Sequence, residues 1–319
     1  MRILITGVCG FIGYNLCKSL LNNKLFNVIG LDSLNNYYSV KLKKKRLSLL
    51  EKHSNFKFYK TNIINHNRLK KIFKNYQFDI IYHLAAQAGV RYSFTDPEKF
   101  IETNVNGFSN ILNLAKDLQK KVRIFYASSS SVYGENEEFP LKEYYQLKPK
   151  NIYGLTKKFN EEMAEIYSKS YKLKIIGLRF FTVFGEWGRP DMFIMKYLQS
   201  FFNRKKFFLN NNGNHIRDFT YIKDVISIII QLSRKKITEH NIYNICSNKP
   251  IHLKKIISYF NKNNIKPKII LKGLQISDIL KTHGDNRLIL REISNIKFTK
   301  TETAVENTIN WYKKNKNLF

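Results

Sequence analysis

Tyr153-Gly154-Leu155-Thr156-Lys157 sets a phenol and an ammonium four residues apart. On a helix that spacing makes them neighbours on one face. A phenol near pKa 10 is a poor base at neutral pH, and a cation beside it favours the phenolate. Such a pair could take a proton from an alcohol. Tyr and Lys at this spacing are common in a chain rich in both, so the pair gains meaning only from its company. Ser128-Ser129-Ser130-Ser131 follow an apolar run ending in Phe125-Tyr126-Ala127. If that run is a strand, the serines emerge at the carboxyl edge of a sheet, where open α/β folds bind ligands.

The elements that would position these groups are legible as alternating apolar runs and amphipathic stretches. Candidate strands are Arg2 to Thr6, Val28 to Asp32, Lys57 to Lys60, Ile80 to Leu84, Arg123 to Ser128 and Lys174 to Arg179. Each is followed by a helix-length segment, the pattern of a parallel sheet covered on both faces. Thr6-Gly7-Val8-Cys9-Gly10-Phe11-Ile12-Gly13 joins the first strand to a helix carrying Phe11, Ile12, Leu16 and Leu20. There the glycines serve a tight turn, close approach to a pyrophosphate and helix-on-strand packing, with the phosphates on the helix N-terminus. Asp32 closes the second strand, where a carboxylate accepts from ribose hydroxyls and repels a 2′-phosphate, favouring NAD over NADP. The fold class expected is α/β, a Rossmann-like doubly wound parallel sheet with a smaller C-terminal α/β domain. Residues 1–178 plus about 221–250 would form the NAD-binding domain, with Ile242 to Ile245 returning as a late strand. About 179–220 plus 251–319 would form the substrate domain.

Composition narrows the class. Among 319 residues, 55 are Lys or Arg and 24 are Asp or Glu, a formal charge of +31. The excess is scattered, with Lys41-Leu42-Lys43-Lys44-Lys45-Arg46 the main compact run beside pairs such as Lys120-Lys121. That reads as solvated faces suited to an anionic substrate rather than as a nucleic-acid surface. The longest apolar runs are strand-sized, such as Val225 to Ile230, too short for a membrane helix, and the N-terminus carries no cleavable signal. A cytoplasmic protein is expected. Cys9, Cys17 and Cys246 suggest neither a disulfide framework nor a zinc site, and the histidines offer no metal pattern.

The glycine segment followed by Leu31-Asp32-Ser33-Leu34-Asn35 resembles the extended short-chain dehydrogenase/reductases, the NAD-dependent epimerase/dehydratase family, and the resemblance runs down most of the chain. It implies that Gly7, Gly10, Phe11, Ile12, Gly13 and Asp32 hold NAD. His83-Leu84-Ala85-Ala86-Gln87-Ala88-Gly89-Val90-Arg91 resembles the segment passing under the cofactor, which puts Leu84, Ala85 and Ala86 at NAD and Gln87 and Arg91 toward the substrate. Asn104 resembles the asparagine that stabilises the central sheet near the nicotinamide side, and the resemblance counts it among the cofactor-binding residues. At Asn62-Ile63 the family usually carries an aspartate facing the adenine amino group; Asn62 can still accept through its carbonyl. The resemblance gives Ser129 the substrate hydroxyl, Tyr153 its proton, and Lys157 the nicotinamide ribose and the tuning of Tyr153. The implied reaction oxidises C4 of a nucleotide-linked sugar, lets the ketone turn, and reduces its other face, with NAD retained throughout. Family members usually dimerise through the helix bearing Tyr153.

Within the family, dehydratases carry an Asp-Glu pair where this chain has Ser130 and Ser131, which argues against water elimination. Arg179 to Met192 resembles UDP-glucuronate 4-epimerases, with Thr182 where UDP-galactose 4-epimerases typically carry asparagine. Arg189 suits a C5 carboxylate because guanidinium matches carboxylate geometry. Arg217, in Arg217-Asp218-Phe219-Thr220-Tyr221, resembles the arginine that meets the diphosphate. Gln275-Ile276-Ser277-Asp278-Ile279, followed by Thr282 and Asp285, resembles a degraded form of the family's QPGDV substrate loop that has lost its Pro and Gly, and the resemblance puts Asp278 among the substrate-binding residues. The expectation is interconversion of UDP-glucuronate and UDP-galacturonate; the alternative is a UDP-glucose/UDP-galactose 4-epimerase or another UDP-sugar-modifying relative.

Overall fold

The computed structural model describes all residues except 119–121, 237, 276–277 and 295, so the Lys120-Lys121 pair and part of the Gln275 to Ile279 segment lie outside the described residues. Strands are β1 Arg2–Thr6, β2 Asn27–Asp32, β3 Phe56–Lys60, β4 Ile80–His83, β5 Arg123–Ser129, β6 Lys174–Phe180, β7 Thr182–Phe184, β8 Phe207–Asn210, β9 Ile216–Tyr221, β10 Asn241–Ile245, β11 Pro250–His252 and β12 Ile269–Lys272. Helices are α1 Phe11–Leu21, α2 Val40–Leu50, α3 His66–Asn75, α4 Tyr92–Thr95, α5 Pro97–Phe100, α6 Gly107–Lys116, α7 Ile152–Tyr171, α8 Phe193–Phe202, α9 Ile222–Leu232, α10 Leu253–Lys262, α11 Arg287–Glu292 and α12 Thr301–Asn315.

Seven strands form one parallel sheet in the order β10-β6-β5-β4-β1-β2-β3. Runs such as Ile3-Leu4-Ile5 and Ile80-Ile81-Tyr82 are buried because helices cover both faces of such a sheet. One apolar core lies on the α1 and α9 side, the other on the α3 and α6 side. Chain direction across the sheet reverses between β1 and β4, and a crevice opens there at the carboxyl ends of the strands. Smaller sheets, β11-β9-β7 and β12-β8, stand above that edge.

The strand-sized apolar run Val225 to Ile230 is not a strand but part of helix α9, which packs on α1 with Val225, Ile226, Ile228 and Ile229 buried; so short an apolar run has no period that separates the two. Nor is the Lys41 to Arg46 run wholly solvated. It lies on α2, whose inward face buries Lys43 and Arg46 beside Leu42 and Leu47. Among the described residues no helix is long and apolar enough to cross a membrane.

Candidate active site

A cavity of about 760 Å³ occupies the crevice. At one end lies the turn from β1 to α1. Gly7 sits at φ 70°, and a Cβ there would stand 2.7 Å from the Ala85 backbone nitrogen. A Cβ on Gly13 would collide with the Gly7 carbonyl. Only glycine allows this close cradle, lined by Gly7, Gly10, Phe11, Ile12 and Gly13. Helix α1 has no side-chain cap and no acidic residue in its first turn, which leaves its N–H groups to an anion. The Asp32 carboxylate accepts from Cys9 N at 2.9 Å and Leu34 N at 2.8 Å. Burial pushes its pKa up while those bonds and Lys43 pull it down. Each oxygen keeps lone-pair capacity for a ribose hydroxyl.

Sequence reasoning missed Lys43 at this end. Its Nζ donates to the main-chain and side-chain oxygens of Asn35, both at 2.7 Å, and lies 4.3 Å from the Tyr38 ring centre. Burial lowers its pKa to about 8, and Asp32 holds it from falling further. The signal was available: on a helix, Lys43 shares its face with Leu42, Arg46 and Leu47 rather than with Lys41 and Lys44. Asn62 and Ile63 also line the cavity, but Asn62 Oδ1 accepts from Ile64 N at 3.2 Å, so part of its capacity is spent on a local turn.

The middle of the cavity brings Ser129, Tyr153 and Lys157 together. Ser129 ends β5; Tyr153 and Lys157 stand on the first turns of α7, which starts where Asn151 Oδ1 accepts from Gly154 N at 2.8 Å. Lys157 is buried, donates to Ala127 O at 2.8 Å, and its Nζ lies 5.9 Å from the Tyr153 ring centre. Burial lowers the Lys157 pKa to about 8, with Glu161 one turn on supporting the charge. Burial raises the Tyr153 pKa, opposed by the Ser129 hydroxyl and the Arg189 cation. Ser129 Oγ also accepts from Ser131 N at 3.1 Å, which fixes its direction. Behind these groups Glu161 accepts from Arg179 Nε at 2.9 Å, Arg179 Nη2 at 2.8 Å and Ser128 Oγ at 2.5 Å, a network the sequence did not announce.

Asn104 does not line the cavity. It lies on a π-helical turn, Ile101–Asn106, accepting from Gln87 N at 2.8 Å and donating to Gln87 O and Thr156 Oγ1. Its place is behind Gln87, which it holds by both main-chain groups. Leu84, Ala85, Ala86 and Gln87 themselves face the cavity.

The far end is cationic. Ser130, Thr182, Arg189, Arg91, Arg217 and Asp278 all line it. Arg189 is already half engaged: Nε and Nη2 donate to Asp191 at 3.1 and 2.5 Å, and Tyr37 donates to the same carboxylate. Burial opposes the Arg189 charge, yet Asp191 keeps its pKa above the usual range. Burial lowers Arg217 to about 10, with Asp278 opposing. Arg91 reaches Asp278 at 2.9 Å across the cavity mouth.

A glycine cradle, the Asp32 carboxylate and a Ser-Tyr-Lys set in one crevice find their counterpart in known proteins. The profile of the NAD dependent epimerase/dehydratase family matches residues 3–246. This chain belongs to that family. Curated relatives include CapI of Staphylococcus aureus, 38% identical over 98% of both chains. UDP-glucuronate 4-epimerase 4 of Arabidopsis thaliana is 33% identical over 98% of this chain and 75% of its own. Among solved structures, UDP-glucuronic acid 4-epimerase from Bacillus cereus, in complex with UDP-glucuronic acid and NAD, superposes with a TM-score of 0.93 at 29% identity, covering 98% of this chain and 99% of that one. As in other members of the NAD-dependent epimerase/dehydratase family, the cofactor is NAD, and the glycine cradle and Asp32 fit it on geometry alone.

Proposed function

We propose that this protein is a UDP-glucuronate 4-epimerase, interconverting UDP-glucuronate and UDP-galacturonate. The observation that carries the reading is the meeting in one cavity of Ser129, Tyr153 and Lys157 with Thr182 and Arg189, beside the NAD cradle. In this reading residues 1–178 and about 221–250 hold NAD, and about 179–220 with 251–319 hold the nucleotide sugar. Bound NAD supplies a hydride acceptor at C4 that returns the hydride to the opposite face of the ketone. Tyr153 removes the C4 hydroxyl proton, and Ser129 donates to the same oxygen. Lys157, cationic below about pH 8, favours the phenolate form of Tyr153. On reduction Tyr153 returns the proton.

The C5 carboxylate sets a second task, because a 4-keto uronate is a β-keto acid that can lose CO2. Ser130 and Thr182 hydroxyls would hold it, with the Arg189 Nη1 edge not used by Asp191. Held there, the C5–C6 bond is kept out of alignment with the π orbitals of the C4 ketone, which disfavours loss of CO2. Arg217 and Asp278 take the nucleotide diphosphate and its neighbourhood, for which an arginine is well suited.

We also assign a homodimer. Helix α7 buries a polar face, including Thr156, Lys157, Asn160 and Glu161, and exposes Leu155, Phe159 and Ile166. An apolar stripe pointing outward, with exposed Ile101 on the π-helical turn that packs on α7, fits a second copy of the same surface. The free, buried cysteines suit a reducing compartment, the cytoplasm.

The test is turnover of UDP-glucuronate against UDP-glucose by the purified protein. A higher kcat/KM for UDP-glucose would overturn the acid assignment. Arg189→Ala should lose UDP-glucuronate turnover or begin to release CO2.

A further inference from the structure

Arg46 stands on α2 behind the glycine turn and is fully buried. Its guanidinium donates to Cys9 O at 2.8 Å, Tyr38 Oη at 2.9 Å, Trp187 O at 2.5 Å and Gly188 O at 3.4 Å. Among the described residues its Nε has no partner and no carboxylate pairs with the group. A buried cation bonded to carbonyl and hydroxyl oxygens, with the Tyr38 ring at 5.7 Å and the Asp32 carboxylate acting only from beyond hydrogen-bond reach, is costly, so its position calls for a reason.

The reason lies in what it joins. Cys9 belongs to the cofactor turn, and Trp187 to the segment ending in Arg189. Trp187 sits at φ 62°, a left-handed conformation that a bulky side chain seldom adopts and that surrounding contacts must hold. Arg46 binds the carbonyl of that strained residue, and the Trp187 ring packs between Tyr14 of α1 at 4.9 Å and Trp311 of α12 at 5.0 Å. Two residues on, Arg189 turns into the cavity with Asp191, which in turn accepts from Tyr37, the neighbour of Tyr38.

We propose that Arg46 is a positioning residue for acid recognition: it locks the Trp187 to Arg189 backbone onto the cofactor turn, so that Arg189 meets the sugar's carboxylate in register with C4. The proposal rests on the acidic-sugar reading above. Methionine at position 46 fills similar space without donating. The carbonyls of Cys9 and Trp187 then lose their partner, the Trp187 strain is free to relax, and Arg189 loses its bearing while Arg217 keeps the diphosphate. Lysine keeps the charge with less directed bonding.

The experiment uses the purified protein with its resident NAD, carrying Tyr153→Phe to stop turnover. Binding of UDP, UDP-glucose and UDP-glucuronate is measured by calorimetry with and without Arg46→Met or Arg46→Lys. We expect a clear preference for UDP-glucuronate over UDP-glucose with Arg46 present. Arg46→Met should shrink it by roughly tenfold, the size expected for losing one charge-assisted hydrogen bond, with UDP affinity and NAD content retained. Arg46→Lys should keep part of the preference. An unchanged preference overturns the proposal, as does an equal loss of all three ligands together with NAD. If Arg46 is intact and there is still no preference, the acid reading itself fails. Should the methionine variant not fold, Arg46→Lys carries the test, with Trp311→Phe leaving Trp187 as the chain's one tryptophan: Trp187 emission should shift on Arg46→Lys, and an unchanged emission with an unchanged preference overturns the proposal.

Discussion

Replacing Glu161 with glutamine should destabilise the protein and shift its pH profile together. Glu161 and Arg179 side chains are 4% and 3% exposed, and the carboxylate takes two bonds from Arg179 and one from Ser128. Glutamine keeps the shape but leaves a buried guanidinium without its counter-charge and sets an NH2 group among donors. Breaking a buried pair from one side costs about 3–5 kcal/mol. For a chain of this size that lowers Tm by roughly 4–8 °C. Removing both charges, as Glu161→Leu with Arg179→Met, should recover about half of the loss, because no charge is then left unpaired. Recovery is incomplete because Tyr133 Oη and Glu143 O lose the Arg179 donor. Glu161 also supports the charge of Lys157 one turn away. Without it the Lys157 proton leaves below pH 8, so the alkaline limb of kcat/KM moves to lower pH. Thermal melting and a pH–rate profile read the two effects. A loss below about 1 kcal/mol in the single variant, or a double variant as unstable as the two singles combined, would refute the reasoning.

Activity should fall as pH rises through about 8, because Lys157 then loses the charge that favours the Tyr153 phenolate; Lys157→Arg, whose charge persists, should move that limb upward in the same profile while lowering kcat. Gly7→Ala should cost most of the bound NAD, since its Cβ would press on the Ala85 backbone at 2.7 Å from a left-handed φ; cofactor absorbance per protein measures this. Asp191→Asn frees the Arg189 fork from a competing carboxylate and should tighten UDP-glucuronate relative to UDP-glucose by severalfold in calorimetry. Leu155→Glu should convert a dimer to monomer by light scattering, and a variant that stays dimeric would overturn the assignment of that face.

Much of the fold was legible because parallel strands buried on both faces are written as short Val/Ile/Leu-rich runs: β1, β2 and β4 match their expected limits within a residue. The glycine turn and Asp32 were legible because only glycine fits such a close cradle. The small sheets were not anticipated, as β7 and β11 have three residues each and pair with β9, far away in the chain. Lys43 and Arg46 were hidden by composition: in a lysine-rich run, burial depends on helix phase, and Leu42 and Leu47 are the clue. Asn104 was seen but misplaced, since motif spacing says that a residue is near the cofactor and not whether it touches it. The Arg189–Asp191 pairing was invisible because two residues apart in a loop carry no fixed geometry.

The central claim is inversion at C4 by removal and return of the same hydrogen, and it is tested most directly with UDP-glucuronate deuterated at C4 and followed by NMR. The account predicts UDP-galacturonate that keeps the deuterium at C4 and the carboxylate at C5. A product with the label lost to water, release of CO2, or no galacturonate at all would contradict it.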